Sequence, residues 1–120
     1  MNPDVLSLAK KTVELLKQKS LKIATAESCT GGMVSTYITA VSGASKVFEM
    51  GLTTYSNRIK NEILKVEKQT LDTIGAVSHN TAKQMAENIC TLSGADIGVS
   101  VTGVAGPDSQ DGYSAGTVFI

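Results

Sequence analysis

The alternation of short apolar segments with longer amphipathic ones constrains the fold of this chain more than any other feature. Strands are predicted at residues 21–26, 47–55, 97–101 and 117–120, which are apolar or rich in β-branched residues. Helices are predicted at about 3–19, 33–41, 57–64, 70–74 and 79–93. Such alternation predicts an α/β fold, built as a three-layer α/β/α sandwich around a mixed, mostly parallel sheet.

Capping residues support several of these helix boundaries. Asn2 precedes Pro3 and Asp4 in the pattern of an N-cap, a proline at the first helical position and a dipole-compensating acid. Ser78 is predicted to cap the last long helix, and Gly94 is predicted to end it.

Composition and charge limit the possible partners. A chain of 120 residues, 42% hydrophobic, fits one domain over residues 1–120. Eleven basic and eleven acidic side chains cancel, so no overall field attracts nucleic acid or a membrane surface. The sequence has neither an apolar run of membrane-spanning length nor a secretory pattern at its start, which predicts a cytoplasmic protein. Two distant cysteines and one histidine predict reduced thiols and no structural metal.

Residues 25–32 join a predicted strand to a predicted helix. Backbone N–H groups at a helix start favour a phosphate or an oxyanion, and open α/β sheets bind ligands at the carboxyl ends of their strands. Ser28 and Thr30 add hydroxyl groups, while Gly31 and Gly32 allow close approach of the backbone. A helix cap followed by a turn explains the same residues equally well.

A second polar loop follows another predicted strand at residues 101–107. It contains Thr102, Gly103, Ala105 and Gly106, and it repeats the combination of a hydroxyl group with small residues. Two such loops could converge at one edge of the sheet. Taken alone, the Gly-Pro pair in this loop is also typical of an ordinary turn.

Tyr55 and Lys60 lie five positions apart at the end of a strand and the start of a helix. A lysine acts as a base only when burial or a cationic neighbour lowers its pKa. Composition alone favours a solvated surface position for Lys60.

Cys29 and His79 are two further reactive side chains. A thiol at a helix start can be a nucleophile, although Cys29 could equally pack under the loop. His79 follows a predicted N-cap, where residues are usually exposed, and is not favoured as a catalytic group.

Four motifs together resemble the CinA C-terminal domain family. They are Ala-Glu-Ser-Cys-Thr-Gly-Gly at 26–32, Thr-Tyr-Ser-Asn at 54–57 followed by Lys60, Gly-Ala-Val-Ser at 75–78, and Ser-Val-Thr-Gly-Val-Ala-Gly-Pro at 100–107. The resemblance extends over nearly the whole chain from about Leu6. It implies a fold similar to anticodon-binding domains and an amidase that converts nicotinamide mononucleotide to nicotinic acid mononucleotide and ammonia, in pyridine nucleotide recycling.

The resemblance also implies residue roles. Ser28 is the implied nucleophile and Lys60 its base, while Tyr55 and Thr102 are implied to position or polarise this dyad and the substrate. Eight further motif residues are expected to contact substrate: Glu27, Cys29, Thr30, Gly31, Gly32, Gly103, Ala105 and Gly106. Neither a metal nor an organic cofactor is expected.

The chain departs from the family pattern near its end. Family members continue past the Gly-Thr-Val strand into a further strand and a helix that contributes an arginine to substrate binding, so the chain is expected to be C-terminally shortened. Residues 108–115 also lack the usual lysine and proline. A catalytically silent nucleotide-binding or assembly module is therefore the alternative to an amidase, and homo-oligomers are expected to cover an open sheet edge.

Overall fold

The computed structural model describes residues 1–120 and contains every predicted helix and strand. The helices are α1 Pro3–Lys19, α2 Met33–Thr39, α3 Asn57–Glu62, α4 Lys68–Thr73 and α5 His79–Ser93. The strands are β1 Ile23–Glu27, β2 Phe48–Thr53, β3 Ile97–Gly103 and β4 Val118–Phe119. A short 3-10 turn at Ala44–Lys46 was not predicted, and β1 begins and β3 ends two residues later than expected.

The four strands form one sheet in the order β2-β1-β3-β4. Strand β1 runs parallel to both β2 and β3, and only β4 is antiparallel to its neighbour. This arrangement confirms the predicted mixed, mostly parallel α/β sheet. All five residues of β1 are buried, because the strand is central and both of its faces are covered.

Two apolar clusters join the sheet to the two helical layers of the sandwich. In one, Met85 and Ile89 of α5 pack with Leu64, Leu71 and the small residues of β1. In the other, Val13 and Leu16 of α1 pack with Ile38 of α2, Val47 and Ile23. Helices therefore cover both faces, as the alternation of strands and helices predicts.

The predicted caps are present and fix where the helices begin. The side chains of Asn2, Ser56 and Ser78 each accept hydrogen bonds from backbone N–H groups in the first turn that follows. Gly94 ends α5 with a φ of 77°, in the left-handed region that glycine adopts freely. No helix combines the length and the apolar composition needed to cross a bilayer.

The topology brings three loops to one edge of the sheet. Because β1, β2 and β3 are parallel, their carboxyl ends lie side by side. Ser28 directly follows β1, Tyr55 follows β2, and Thr102 lies at the end of β3. The Ser28 N–H extends the β1–β3 ladder by donating to the carbonyl of Val101 at 2.9 Å.

Candidate active site

A cleft of about 300 Å³ lies at this edge of the sheet. It is lined by eight residues that the sequence singled out: Ser28, Cys29, Tyr55, Lys60, Thr102, Gly103, Ala105 and Gly106. The rest of the lining was not predicted as part of the site, although its first four members lie within the family motifs: Asn57, Ala76, Val77, Val104, Asp108, Ser109 and Gln110. Four residues expected to contact substrate, Glu27, Thr30, Gly31 and Gly32, lie outside this lining.

Ser28 and Lys60 meet in the floor of the cleft. Lys60 Nζ donates to Ser28 Oγ at 3.1 Å and to the backbone carbonyl of Tyr55 at 3.1 Å. Lys60 is only 1% exposed, so the solvated surface position favoured by composition is wrong. Lys60 is the only buried residue of α3, and Leu64, four positions further along the chain, belongs to the apolar core.

The ionisation of Lys60 is displaced toward the neutral amine. Burial lowers the pKa of Lys60 below its ordinary value of 10.5, because the charged ammonium loses its hydration. A Cys29 thiolate and the Asp111 carboxylate act in the opposite direction and offset part of this effect. A neutral amine can donate to the Tyr55 carbonyl and still offer its lone pair to the Ser28 hydroxyl. The pair can therefore act as a nucleophile with its base.

Glu27 organises the loop that carries Ser28. Its Oε1 accepts from Thr30 Oγ1 at 2.7 Å and from the Val34 N–H at 2.8 Å, and its Oε2 accepts from the N–H and Oγ of Ser35 at 3.0 and 2.8 Å. Burial alone would raise the pKa of Glu27, but the hydrogen bonds from Ser35, Thr30 and Val34 outweigh burial and lower it. Glu27 thus ties the loop to α2 as a carboxylate.

The hydrogen bonds of the Glu27 carboxylate also change which backbone N–H groups could bind an oxyanion. The first helical N–H groups of α2 were expected to face a ligand, yet those of Val34 and Ser35 already donate to Glu27. Within the preceding loop, the N–H groups of Cys29 and Thr30 lie beside the Cys29 sulfur and donate to no carbonyl. They are the N–H groups next to Ser28 that no carbonyl acceptor occupies.

Cys29 is a poor nucleophile at this position. Burial raises the pKa of its thiol, and the nearby N–H groups and Lys60 only partly counter that effect. His79 lies away from the cleft with its ring edge-on to Phe119, at a centroid distance of 4.5 Å. No three histidine, cysteine or carboxylate side chains lie close enough together to share a metal ion.

Thr102 and Tyr55, which the family resemblance implies to position or polarise the dyad and substrate, make specific contacts in the structure. Thr102 is buried, and its Oγ1 donates to the carbonyl of Ala76 at 2.7 Å, so the hydroxyl holds the wall of the cleft. Tyr55 offers its backbone carbonyl to Lys60, while its side chain is 65% exposed at the rim. Both residues position their neighbours.

The chain matches a family model described as the CinA C-terminal domain over residues 5–120. A Bacillus subtilis (strain 168) protein described as competence-damage inducible is 48% identical over 117 residues, which cover 98% of this chain and 28% of that protein. A similarly described protein of Geobacillus sp. (strain WCH70) is 51% identical over 114 residues, covering 95% of this chain and 27% of its own length. The chain therefore spans little more than a quarter of these relatives.

Solved structures share the fold closely. The competence/damage inducible protein CihA from Agrobacterium tumefaciens superposes with a TM-score of 0.94 at 39% identity, over 98% of this chain and 72% of that one. The competence damage-inducible protein A of Klebsiella pneumoniae gives a TM-score of 0.92 at 35% identity, over 95% of this chain and 71% of that one.

Proposed function

Because the chain belongs to the CinA C-terminal domain family, we propose that it hydrolyses the carboxamide of nicotinamide mononucleotide to nicotinic acid mononucleotide and ammonia. One observation carries the proposal: the buried amine of Lys60 lies 3.1 Å from Ser28 Oγ, with its pKa lowered by burial. This pair matches the serine and lysine that the family resemblance assigns to amide hydrolysis. The reaction would recycle a pyridine nucleotide.

The first step forms an ester between enzyme and substrate. Ser28 Oγ attacks the carboxamide carbon while neutral Lys60 takes the hydroxyl proton. The resulting tetrahedral intermediate collapses, its C–N bond breaks, and the Lys60 ammonium returns the proton to the departing ammonia. Lys60 is neutral again, and Ser28 carries the nicotinoyl group of the nucleotide.

Water then hydrolyses the ester, and Lys60 again acts first as the base and then as the acid. Lys60 takes a proton from the attacking water, and the proton then passes to Ser28 Oγ as the ester bond breaks. The negative oxygen of each intermediate is held by the N–H groups of Cys29 and Thr30. One such donor stabilises the transition state by roughly 3 kcal/mol, so the loop geometry set by Glu27 matters to the rate. The side chains of this chain provide every proton transfer, and the mechanism uses no cofactor.

The proposal is tested by assaying release of ammonia and nicotinic acid mononucleotide from nicotinamide mononucleotide. We expect Ser28→Ala and Lys60→Met each to lower kcat/KM by about 10³-fold or more. Matched changes in the exposed 3-10 turn, Ser45→Ala and Lys46→Met, should leave turnover at the wild-type level.

Two results would contradict the proposed mechanism or the proposed activity. Turnover that survives Ser28→Ala would rule out the mechanism. A folded wild-type protein that releases no product, yet melts at higher temperature with the nucleotide, would favour the silent binding module. A ligand at one hundred times its Kd adds about 2.7 kcal/mol of stability, which a melting experiment detects.

A further inference from the structure

The loop between β3 and β4 forms the outer wall of the cleft and contains Asp111. Within it, the backbones of Gln110 and Tyr113 exchange two hydrogen bonds of 3.0 and 2.9 Å, which close a tight turn around Asp111. Asp111 has a φ of 52°, a left-handed conformation that aspartate and asparagine tolerate better than most residues. The turn therefore presents the Asp111 side chain in a defined place.

The Asp111 carboxylate rests on the opposite wall of the cleft. Its Oδ2 accepts a hydrogen bond from the Val77 N–H at 3.0 Å, although the two residues are 34 positions apart. Gly75 makes room for it, since a Cβ at Gly75 would lie 2.4 Å from Asp111 Cγ. The absence of a side chain at Gly75 thus lets the outer loop approach the segment that precedes α5.

The other contacts of that segment come from the protein interior. Thr102 Oγ1 donates to the Ala76 carbonyl, and the hydroxyl groups of Ser78 and Thr81 donate to the Gly75 carbonyl. These bonds hold the segment to β3 and α5 without involving residues 105–116. The Asp111–Val77 hydrogen bond is what joins the outer loop to it.

Asp111 also acts on Lys60 through its charge. The ionisable groups that influence Lys60 are the Cys29 thiol, on the loop after β1, and Asp111. Asp108 and the Tyr55 phenol line the same cleft. Asp111 raises the pKa of Lys60 and so opposes the larger effect of burial.

We propose that Asp111 is a positioning residue of this active site, which holds the outer wall of the cleft against Val77 and places a negative charge within electrostatic range of Lys60. The inference rests on the proposed amidase, because it assigns Asp111 to the same Ser28–Lys60 pair. It gives one carboxylate two separable duties, geometric and electrostatic.

The electrostatic duty is tested with Asp111→Asn. Asparagine tolerates the positive φ and keeps an oxygen that can accept from Val77, but it carries no charge. The rise of kcat/KM with pH should therefore move to lower pH than in the wild type, because the Lys60 ammonium loses a stabilising neighbour. The shift should shrink at high salt, since Asp111 is exposed to solvent.

The geometric duty is tested with Asp111→Gly, which accepts the backbone conformation and removes the hydrogen bond. We expect KM to rise and kcat/KM to fall by about tenfold, because the wall loop no longer has a fixed position. The loop should also become more sensitive to limited proteolysis. Asp4→Asn, an equal change of charge at the start of α1, is the matched control.

A readout that does not depend on turnover separates this inference from the amidase. The titration of the Lys60 ¹³Cε signal by NMR reports the protonation of the amine directly. A midpoint that moves to lower pH in Asp111→Asn supports the electrostatic duty even if no amide is hydrolysed. An unchanged midpoint, or an Asp111→Gly protein with wild-type kcat/KM and proteolysis, would overturn the inference.

Discussion

The Lys60 amine is almost wholly removed from water, and this affects stability and, under the proposed mechanism, turnover. The folded pKa lies below 10.5, whereas the unfolded chain keeps the ordinary value. Between the two values the unfolded chain binds one more proton, so the free energy of unfolding rises with pH across that window. Under the proposed mechanism the rate depends on the same proton, so kcat/KM should rise as the folded Lys60 becomes neutral, with a midpoint below 10.5.

We therefore expect Lys60→Met to raise the free energy of unfolding at pH 7 while abolishing turnover. Methionine fills a similar volume and needs no hydration, so the cost of burying an ionisable group disappears. Urea unfolding from about pH 6 to about pH 10 should show a flatter profile than wild type. Lys10→Met, at an exposed position of α1, should keep the wild-type slope. A variant that is less stable at pH 7 and equally pH-dependent would contradict this account.

Glu27→Gln should destabilise the protein by about 2 kcal/mol at pH 7, because an amide cannot accept from four donors at once. The folded pKa of Glu27 is depressed, so its contribution is present above the unfolded value near 4.5 and is lost as pH falls through the folded pKa. Denaturation at several pH values should show the difference from wild type shrinking in acid. Glu49 is half-exposed on β2, so Glu49→Gln is the control. If the difference in unfolding free energy between Glu27→Gln and wild type does not change with pH, the assignment is refuted.

Single residues were predicted unevenly. The proximity of Ser28 and Lys60 came from the family motifs, since composition alone placed Lys60 at the surface. A helix that extends to Leu64 puts Lys60 on the same face as that apolar residue, and this spacing is the signal that could have revealed its burial. The sequence does not indicate a role for Asp111, because an Asp-Gly pair predicts a turn without showing what the carboxylate contacts.

At the scale of elements, the spacing between α5 and β3 depends on Gly98. A Cβ there would lie 2.3 Å from the carbonyl oxygen of Ala86 and 2.7 Å from the Cys90 sulfur. Helix α5 directly follows the segment whose Ala76 and Val77 line the cleft, and β3 carries Thr102. The contact at Gly98 therefore helps to set the distance between two sides of the site.

We expect Gly98→Ala to destabilise the protein by about 1–3 kcal/mol, because the added methyl group pushes the helix from the sheet. The nearest atom belongs to the backbone, so adding Cys90→Ala should not restore stability. Chemical denaturation of the single and double variants measures their free energies of unfolding. Full rescue by Cys90→Ala would show that only the side-chain contact matters.

Elements were predicted well wherever periodicity and caps agreed. Helix α1 matches its predicted bounds, and α5 begins and ends at the predicted serine and glycine. The 3-10 turn at Ala44–Lys46 was missed because a single tight turn has no apolar period. Strand β3 continues to Gly103 because it pairs there with β4, a long-range contact that no local pattern encodes.

At the scale of the whole molecule, the sheet separates two apolar clusters. Leu16 of α1 belongs to one cluster and Ile89 of α5 to the other, and each is buried. Sites with no shared neighbours usually contribute to stability independently.

We expect Leu16→Ala to cost about 2–5 kcal/mol and Ile89→Val about 0.5–1.5 kcal/mol. The double variant should lose the sum of the two within about 0.5 kcal/mol. Urea denaturation of the four proteins completes the cycle. A coupling above about 1 kcal/mol would mean that strain passes through the sheet from one cluster to the other.

The wide separation of the site residues along the chain also bears on how activity returns after denaturation. Ser28 and Lys60 are 32 positions apart, and Asp111 and Val77 are 34 apart. Closing such long loops loses chain entropy before any contact compensates for it, whereas helices such as α1 form locally and early. In a refolding experiment, the helical circular dichroism signal should therefore recover before turnover does. A continuous assay of product release would thus time the last tertiary contacts to form.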